Sequence, residues 1–81
     1  MNFVVDVLVL PKEEIRDPEG EAVKKYLLKE NGSKVNEVRA GKLIRLAVDA
    51  TSPSEAEEIA LSLASKGLFN PLVHRVEVRV L

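Results

Sequence analysis

The fold is decided by the stretch KLIRLAVDATSPSEAEEIALSLA, residues 42–64, in which a strand pattern passes directly into a helix pattern. Over residues 42–50 apolar side chains alternate with a period of two, which predicts a strand with one buried face. Residues 52–55, SPSE, form a capping box with proline at the first helical position. The helix that follows carries apolar residues at helical spacing and is expected to end at Gly67. These apolar residues are Ala56, Ile59, Ala60 and Leu63.

Two elements are predicted on the N-terminal side of this stretch. Residues 2–10 are apolar and rich in β-branched side chains, which favours a strand that ends at Pro11. Asp17 and Pro18 start a helix, because aspartate is a good N-cap and proline fits the first helical position. The pair Asn31-Gly32 predicts the end of that helix, since glycine accepts the left-handed conformation found there.

The remaining strands complete the order β-α-β-β-α-β. Residues 35–40 predict a short strand that turns at Gly41 into the strand over 42–50, and residues 74–80 alternate as a last strand. Short connections and right-handed crossovers fold this order into a ferredoxin-like sheet with both helices on one face. We therefore expect an α+β protein with an antiparallel sheet, in a single domain over residues 1–81.

One face of the predicted sheet is left without helices. The first strand points Val4, Asp6, Leu8 and Leu10 away from the helices, and Arg45 joins them from the strand over 42–50. Such a face is normally polar, whereas this one mixes aliphatic residues with charges, as protein contacts do; the alternative is a solvated face with scattered aliphatic residues. We predict a homodimer through Val4, Asp6, Leu8 and Arg45, with pairing of edge strands. Asp6 and Arg45 form a cross-strand pair if their strands are neighbours.

The composition excludes several classes of protein. The 81 residues hold 12 Lys and Arg against 13 Asp and Glu, with one His and no Cys. A formal charge of −1 gives no general attraction to nucleic acid or to an acidic membrane. The apolar runs are too short to span a bilayer, and the N-terminus does not resemble a signal peptide. We expect a folded cytoplasmic protein that binds neither nucleic acid nor membrane.

Side chains suited to catalysis or metal binding are few. His74 is the only imidazole and lies on the core-facing side of the last strand, which favours a structural role over that of a base or ligand. No second His and no Cys completes a zinc site, and no serine has the spacing of a known triad. Arg39 and Lys42 flank the turn at Gly41, where they either hold an anion or form a solvated basic hairpin. We predict no catalytic residue and no metal site.

Three clusters lie at the junctions between predicted elements. They are Asp17-Pro18-Glu19-Gly20, Val38-Arg39-Ala40-Gly41-Lys42 and Asn70-Pro71-Leu72-Val73. Each has a local explanation, as a helix cap, a hairpin or a loop. Together, in this order and behind a valine-rich first strand, they resemble the PurS family, the small subunit of phosphoribosylformylglycinamidine synthase, over essentially the whole chain. One departure is Val73-His74-Arg75, where the family often has acidic residues.

The resemblance implies a non-catalytic subunit of a ligase of de novo purine (IMP) biosynthesis. In that complex a glutaminase subunit releases ammonia, and a synthetase subunit uses it, with ATP and Mg, on formylglycinamide ribonucleotide. PurS-like chains bind no cofactor themselves, form homodimers or tetramers, and bridge the two other subunits. The residues that carry the resemblance are thereby candidates for partner binding: Asp17, Pro18, Gly20, Arg39, Gly41, Lys42, Asn70 and Pro71.

Two other classes of protein share the predicted topology. A dimeric ACT-type module binds small molecules at a loop after the first strand, typically with glycine there, whereas this chain places Gly20 inside the helix. RNA-binding modules stack bases on aromatic residues of the central strands, and here the one candidate, Phe3, points toward the helices. The ACT-type module is the alternative hypothesis, and a thermal-shift screen with amino acids distinguishes it.

Overall fold

The computed structural model of the chain describes residues 1–29 and 34–81, which form three strands and two helices. The α+β class with an antiparallel sheet is confirmed, and the strands expected over 2–10, 42–50 and 74–80 are present to within one residue. The helix end predicted at Asn31-Gly32 lies outside the described residues. The elements are β1 (Asn2–Pro11), α1 (Pro18–Lys29), β2 (Lys42–Asp49), α2 (Pro53–Ala64) and β3 (His74–Val80).

The strand β1 is the centre of the sheet, whose order is β2-β1-β3 with both neighbours antiparallel to it. Val7 lies opposite Ile44 of β2 on one side and opposite Val78 of β3 on the other. A strand bonded along both edges suits the most apolar segment of the chain, which is why the valine-rich N-terminal run takes this place. The outer edges of β2 and β3 carry no further strand within the described residues.

The helix α2 covers one face of the sheet and closes the core. Val5, Val7 and Val9 of β1 point toward it and are 0–2% exposed. The helix meets them with three fully buried alanines, whose small side chains let it lie close to the strands. Leu63, which was predicted among the apolar residues of this helix that face the core, is 50% exposed. The alanines are Ala56, Ala60 and Ala64.

The Ser52 half of the predicted capping box at the start of α2 is confirmed, whereas Glu55 bonds Thr51 and not the N–H of Ser52. The Ser52 hydroxyl accepts a hydrogen bond from the backbone N–H of Glu55 at 3.1 Å. The Glu55 carboxylate reaches back to Thr51, whose hydroxyl donates to it at 2.8 Å. The helix ends at Ala64, and residues 65–68 form turns before the chain reaches β3. The local sequence therefore accounts for the start of this helix, whereas its end lies before the predicted Gly67.

The short strand predicted over residues 35–40 is wrong, because residues 35–41 form no strand. Their polar groups are used by other parts of the chain. The carbonyl of Asn36 accepts a hydrogen bond from Lys24 Nζ at 2.8 Å, and the N–H of Ala40 donates to the carboxylate of Asp17 at 2.7 Å. An N–H that donates to a side chain is not free for a strand ladder. The segment instead connects the start of α1 to the end of β1.

The prediction that both helices cover the same face of the sheet is wrong for α1. Within the described residues α1 does not pack against the sheet or against α2. Its apolar residues Val23 and Tyr26 are 41% and 64% exposed. The chain is correspondingly elongated, with principal dimensions of 48 × 26 × 14 Å. A helix of this kind, with its apolar residues in solvent, lacks the tertiary contacts that stabilise most helices. Neither α1 nor α2 has the length and apolarity needed to cross a bilayer.

Candidate functional site

The Asp17 carboxylate fastens the start of α1 to the segment before β2. One of its oxygens accepts the N–H of Gly20 at 3.0 Å, which is the predicted N-cap. The other accepts the N–H of Ala40 at 2.7 Å. The amide of Gly20, then that of Ala40, hold the pKa of this buried carboxyl below its ordinary value, and the nearby charge of Arg39 adds to the effect. Asp17 is therefore an ionised group whose two oxygens are used inside the chain.

The Arg39 side chain fastens the same junction from the other side. Its Nη2 donates to the carbonyls of Lys12 and Ile15 at 2.6 and 2.9 Å, so one guanidinium holds the loop between β1 and α1. Its Nε lies 4.0 Å from Glu37 and is buried without a hydrogen-bond partner. The acceptors Lys12 and Ile15 could not be found from the sequence, because backbone carbonyls leave no residue-type signal.

Gly20 and Gly41 occupy two places where chain segments approach each other closely. A Cβ on Gly20 would overlap the carboxylate of Asp17 and would lie 2.6 Å from the carbonyl oxygen of Val38. A Cβ on Gly41 would overlap the carbonyl of Val9 and would lie 2.7 Å from a methyl of Leu10. Since backbone carbonyls cannot turn aside as a side-chain tip can, only glycine fits either position.

The loop before β3 is ordered by Asn70. Its side-chain oxygen accepts the N–H of Leu72 at 3.0 Å, and its backbone carbonyl accepts from Val73 and His74 at 3.0 and 2.8 Å. Its own N–H donates to Nδ1 of His74 at 3.0 Å. Pro71 and Leu72 are left exposed at the tip of the loop.

The sequence-predicted candidates thus fall into two groups in space. Asp17, Gly20, Arg39 and Gly41 lie together at one junction and bond or pack within the chain. Pro18, Lys42, Asn70 and Pro71 are exposed at or near that junction and its neighbouring loop. Partner binding by either group stays a prediction; Gly41 of the first group and all four residues of the second are exposed, whereas Asp17 and Gly20 are buried.

The open face of the sheet carries the predicted ion pair between Asp6 and Arg45. These residues are directly opposite each other in the β1–β2 register, and the guanidinium donates to both carboxylate oxygens at 2.6 and 2.9 Å. The hydrogen bond from Arg45 holds the pKa of Asp6 below its ordinary value, although burial opposes it, and raises the already high pKa of Arg45. Asp6 is only 6% exposed, even though no helix covers this face.

Arg79 is a third member of this group. It lies opposite Asp6 on the β3 side, and its charge also lowers the pKa of that carboxyl. The sequence put Arg79 on the open face but could not give the register that makes it a neighbour of Asp6. The three residues carry one negative and two positive charges, so this part of the open face is basic. Val4 and Leu8 flank it along β1, Val4 exposed and Leu8 half-buried.

A metal site is not supported by the residues that the structure describes, because no three His, Asp or Glu side chains lie close enough together to hold an ion. What these residues form is a rigid junction, an open sheet face with an ion pair, and a helix without a tertiary partner. Such a chain is a small α+β protein whose distinguishing features are surfaces for association.

Comparison with known proteins identifies the family. The family model for PurS, phosphoribosylformylglycinamidine (FGAM) synthase, matches residues 4–81. The PurS subunit of the synthase from Thermotoga maritima is 38% identical over 80 residues, which are 99% of this chain and 95% of the relative. The chain belongs to the PurS family, the small subunit of phosphoribosylformylglycinamidine synthase, as the junction motifs predicted.

Solved structures agree with this assignment. The crystal structure of the T. maritima PurS subunit matches with a TM-score of 0.90 and 36% identity, covering 100% of this chain and 93% of the other. A chain in the structure of PurLQS from T. maritima matches with a TM-score of 0.88 and 36% identity, covering 100% and 99%. The arrangement of three strands and two helices is therefore one that PurS structures share.

Proposed function

We propose that this chain bridges the glutaminase and the ATP-dependent synthetase subunits of its synthase and so supports ammonia transfer between them. The observation that carries the proposal is the full-length match to a chain in the structure of PurLQS from T. maritima. PurLQS comprises PurS together with PurL and PurQ. Our chain offers surfaces for association and, in its described residues, no cluster of metal-ligating groups.

The bridging role has a physical purpose. Ammonia in water at neutral pH is mostly protonated and then lacks the lone pair that attacks an electrophile. A docked assembly that keeps water from the transfer route protects this nucleophile between the two active sites. We place ATP and Mg on the synthetase subunit, as the family resemblance implies; the described residues of this chain form no cluster of three metal-ligating groups. As a subunit of a purine ligase, the chain is assigned to the cytoplasm.

We further propose that the chain forms a homodimer, or a tetramer built from it, in which α1 packs on the second copy. Val23 and Tyr26 of α1 are exposed, and so are Leu61 and Leu63 of α2. A second copy with the same sequence provides both an exposed helix and an exposed surface beside α2, so each copy covers the other reciprocally. Burial against a partner supplies the contacts that α1 lacks in the single chain.

Light scattering on Tyr26→Lys and Val4→Lys, with Lys25→Ala as the control, distinguishes this interface from the open sheet face. We expect Tyr26→Lys to reduce the measured mass to that of one chain, 8.9 kDa, and the neighbouring Lys25→Ala to leave the dimer intact. A monomer produced by Val4→Lys but not by Tyr26→Lys would place the interface on the open face instead. Dimers retained in both variants would contradict both interfaces.

Assembly of the three subunits tests the bridge itself. The synthetase and glutaminase subunits of the same synthase are mixed with and without this chain and separated by size-exclusion chromatography under turnover conditions. We expect the glutaminase to elute with the synthetase only when the chain is present. Equal co-elution in its absence would contradict a bridging role.

A further inference from the structure

A cleft of about 320 Å³ lies beside the Asp17–Arg39 junction. It opens where the end of β1, the loop into α1 and the residues before β2 meet. Its walls are largely apolar, and the loop before β3 contributes to them as well. The apolar residues that line it are Val9, Pro11, Ile15, Pro18, Ala40 and Val73.

His74 presents a hydrogen-bond donor to this cleft. Its Nδ1 accepts the N–H of Asn70 at 3.0 Å, so in the neutral imidazole the proton is on Nε2. The ring lines the cleft and is half-buried. The hydrogen bond that orders the loop therefore also fixes which nitrogen of His74 can donate to a ligand.

Lys42 supplies a cation at the same cleft. It is exposed, lines the cleft, and has no ion pair or side-chain hydrogen bond among the described residues. Arg16 also lines the cleft, but it is paired with Glu21 at 3.3 Å. Among the described residues, His74 Nε2 and Lys42 Nζ are thus donors at this cleft that make no other side-chain hydrogen bond, whereas Arg16 shares its guanidinium with Glu21.

Two acidic residues also border the cleft, and their charges oppose an incoming anion. Both oxygens of Asp17 already accept backbone N–H groups, and Arg39 lies beside this carboxylate. Glu19 is in the first turn of α1, where the positive end of the helix dipole offsets part of its charge. The N-terminus of α1 is itself capped by Asp17 and is not the binding group.

We propose that this cleft binds an extended segment of a partner protein that carries an aliphatic side chain next to a carboxylate. The aliphatic group fills the apolar walls, and the carboxylate accepts hydrogen bonds from His74 Nε2 and Lys42 Nζ. Charge complementarity selects this occupant, because Asp17 is already bonded through both oxygens, whereas the donors of His74 and Lys42 are unused; the carboxylate of Glu19 is the charge that opposes it. The inference rests on the proposed function for the existence of a partner subunit, and it adds the chemistry by which that partner is held.

Peptide titration of the isolated chain tests the cleft separately from the synthase. The probe is acetyl-Leu-Glu-Leu-amide, added to ¹⁵N-labelled chain while the amide signals of Gly41, Lys42 and Asn70 are followed. We expect saturable shifts at these amides, and at least fivefold weaker binding of acetyl-Leu-Gln-Leu-amide, which has the same shape without the charge. Lys42→Gln should weaken binding of the Glu peptide at least threefold, whereas the distant, exposed Lys66→Gln should not change it.

Three results would overturn the proposal. One is the absence of saturable shifts at the cleft, and another is equal affinity for the Glu and Gln peptides. The third is competition by inorganic phosphate at the same concentration as the peptide, which would make the cleft a site for simple anions. The peptide titration contains no other subunit, so a negative result there does not contradict the bridging role, which the assembly measurement tests. In the same way, a failure of the three subunits to assemble does not change the peptide result.

Discussion

Replacing Gly20 by alanine tests whether the junction between α1 and residues 38–40 is as tightly packed as the structure shows. In an exposed helix, alanine is more stable than glycine by about 1 kcal/mol. Here the added Cβ would overlap the Asp17 carboxylate and would lie 2.6 Å from the carbonyl oxygen of Val38. That carbonyl is held in place because the next residues, Arg39 and Ala40, are both hydrogen-bonded across the junction.

Two opposing free energies decide whether Gly20→Ala stabilises or destabilises the chain. Forcing a methyl group into a filled space costs about 1–3 kcal/mol, from which the gain of about 1 kcal/mol in helix propensity is subtracted. We expect Gly20→Ala to lower the free energy of unfolding by about 1 kcal/mol. For a chain of this size that corresponds to a melting temperature lower by about 4–8 °C.

Urea unfolding with two optical probes measures this effect. Tyr26 is the only tyrosine, there is no tryptophan, and it lies on α1, so its fluorescence follows that helix while circular dichroism follows the whole chain. Ser62→Ala on the exposed side of α2 is the matched control, since it also creates a helical alanine and should stabilise by no more than about 0.7 kcal/mol. Both variants are compared at one protein concentration, because self-association shifts apparent stability.

A Gly20→Ala variant that is more stable than the parent chain would refute the tight packing around Gly20. That result would show that Gly20 behaves as an ordinary helical glycine and that the junction has room for a methyl group. Loss of the Tyr26 signal before the dichroism signal would instead show that the substitution detaches α1 while the sheet and α2 remain folded, which the structure also allows.

Three further perturbations test other parts of the structure. Because the pKa values of Asp6 and Asp17 lie below their usual 3.8 in the folded chain, the stability they contribute is fully present above about pH 4 and is lost below it, as the pH falls through their lower pKa values in the folded chain. Urea midpoints should therefore fall on acidification, and should fall less steeply in Asp6→Asn; parallel curves would contradict this. Val7→Ala, at a fully buried position of β1, should cost about 2–3 kcal/mol in urea unfolding, and a cost below about 1 kcal/mol would show a loosely packed core. Arg39→Leu should cost about 1.5–3 kcal/mol through two lost charged hydrogen bonds, and an unchanged midpoint would remove it from the junction.

The sequence predicted those elements whose causes are local. The Ser52 cap, the alternation in β2 and the proline start of α1 each depend on neighbouring residues, and all three are present in the structure. The prediction of which α2 residues face the sheet was only partly right, because Ala64 and not Leu63 faces it.

The failures concern contacts between residues far apart in the chain. Residues 35–40 have strand propensity, but the Ala40 N–H is taken by the carboxylate of Asp17, 23 residues earlier. The apolar residues of α1 predict that one face of this helix is covered, but they do not indicate which surface covers it. Within the described residues of the single chain, the sheet does not cover it. The motifs of the candidate site were predicted from the sequence. Which of their residues pack inside the chain follows only from the space around Gly20 and Gly41 and from the hydrogen bonds of Arg39.

The most direct test of the bridging role compares glutamine-driven with ammonia-driven turnover of formylglycinamide ribonucleotide by the synthetase and glutaminase subunits. Each nitrogen source is measured with the chain, without it, and with the Lys42→Glu variant. We predict that glutamine-driven turnover requires the chain and is reduced by Lys42→Glu, while ammonia-driven turnover persists in all three mixtures. Equal glutamine-driven turnover with and without the chain would contradict the account, and so would an equal loss with both nitrogen sources.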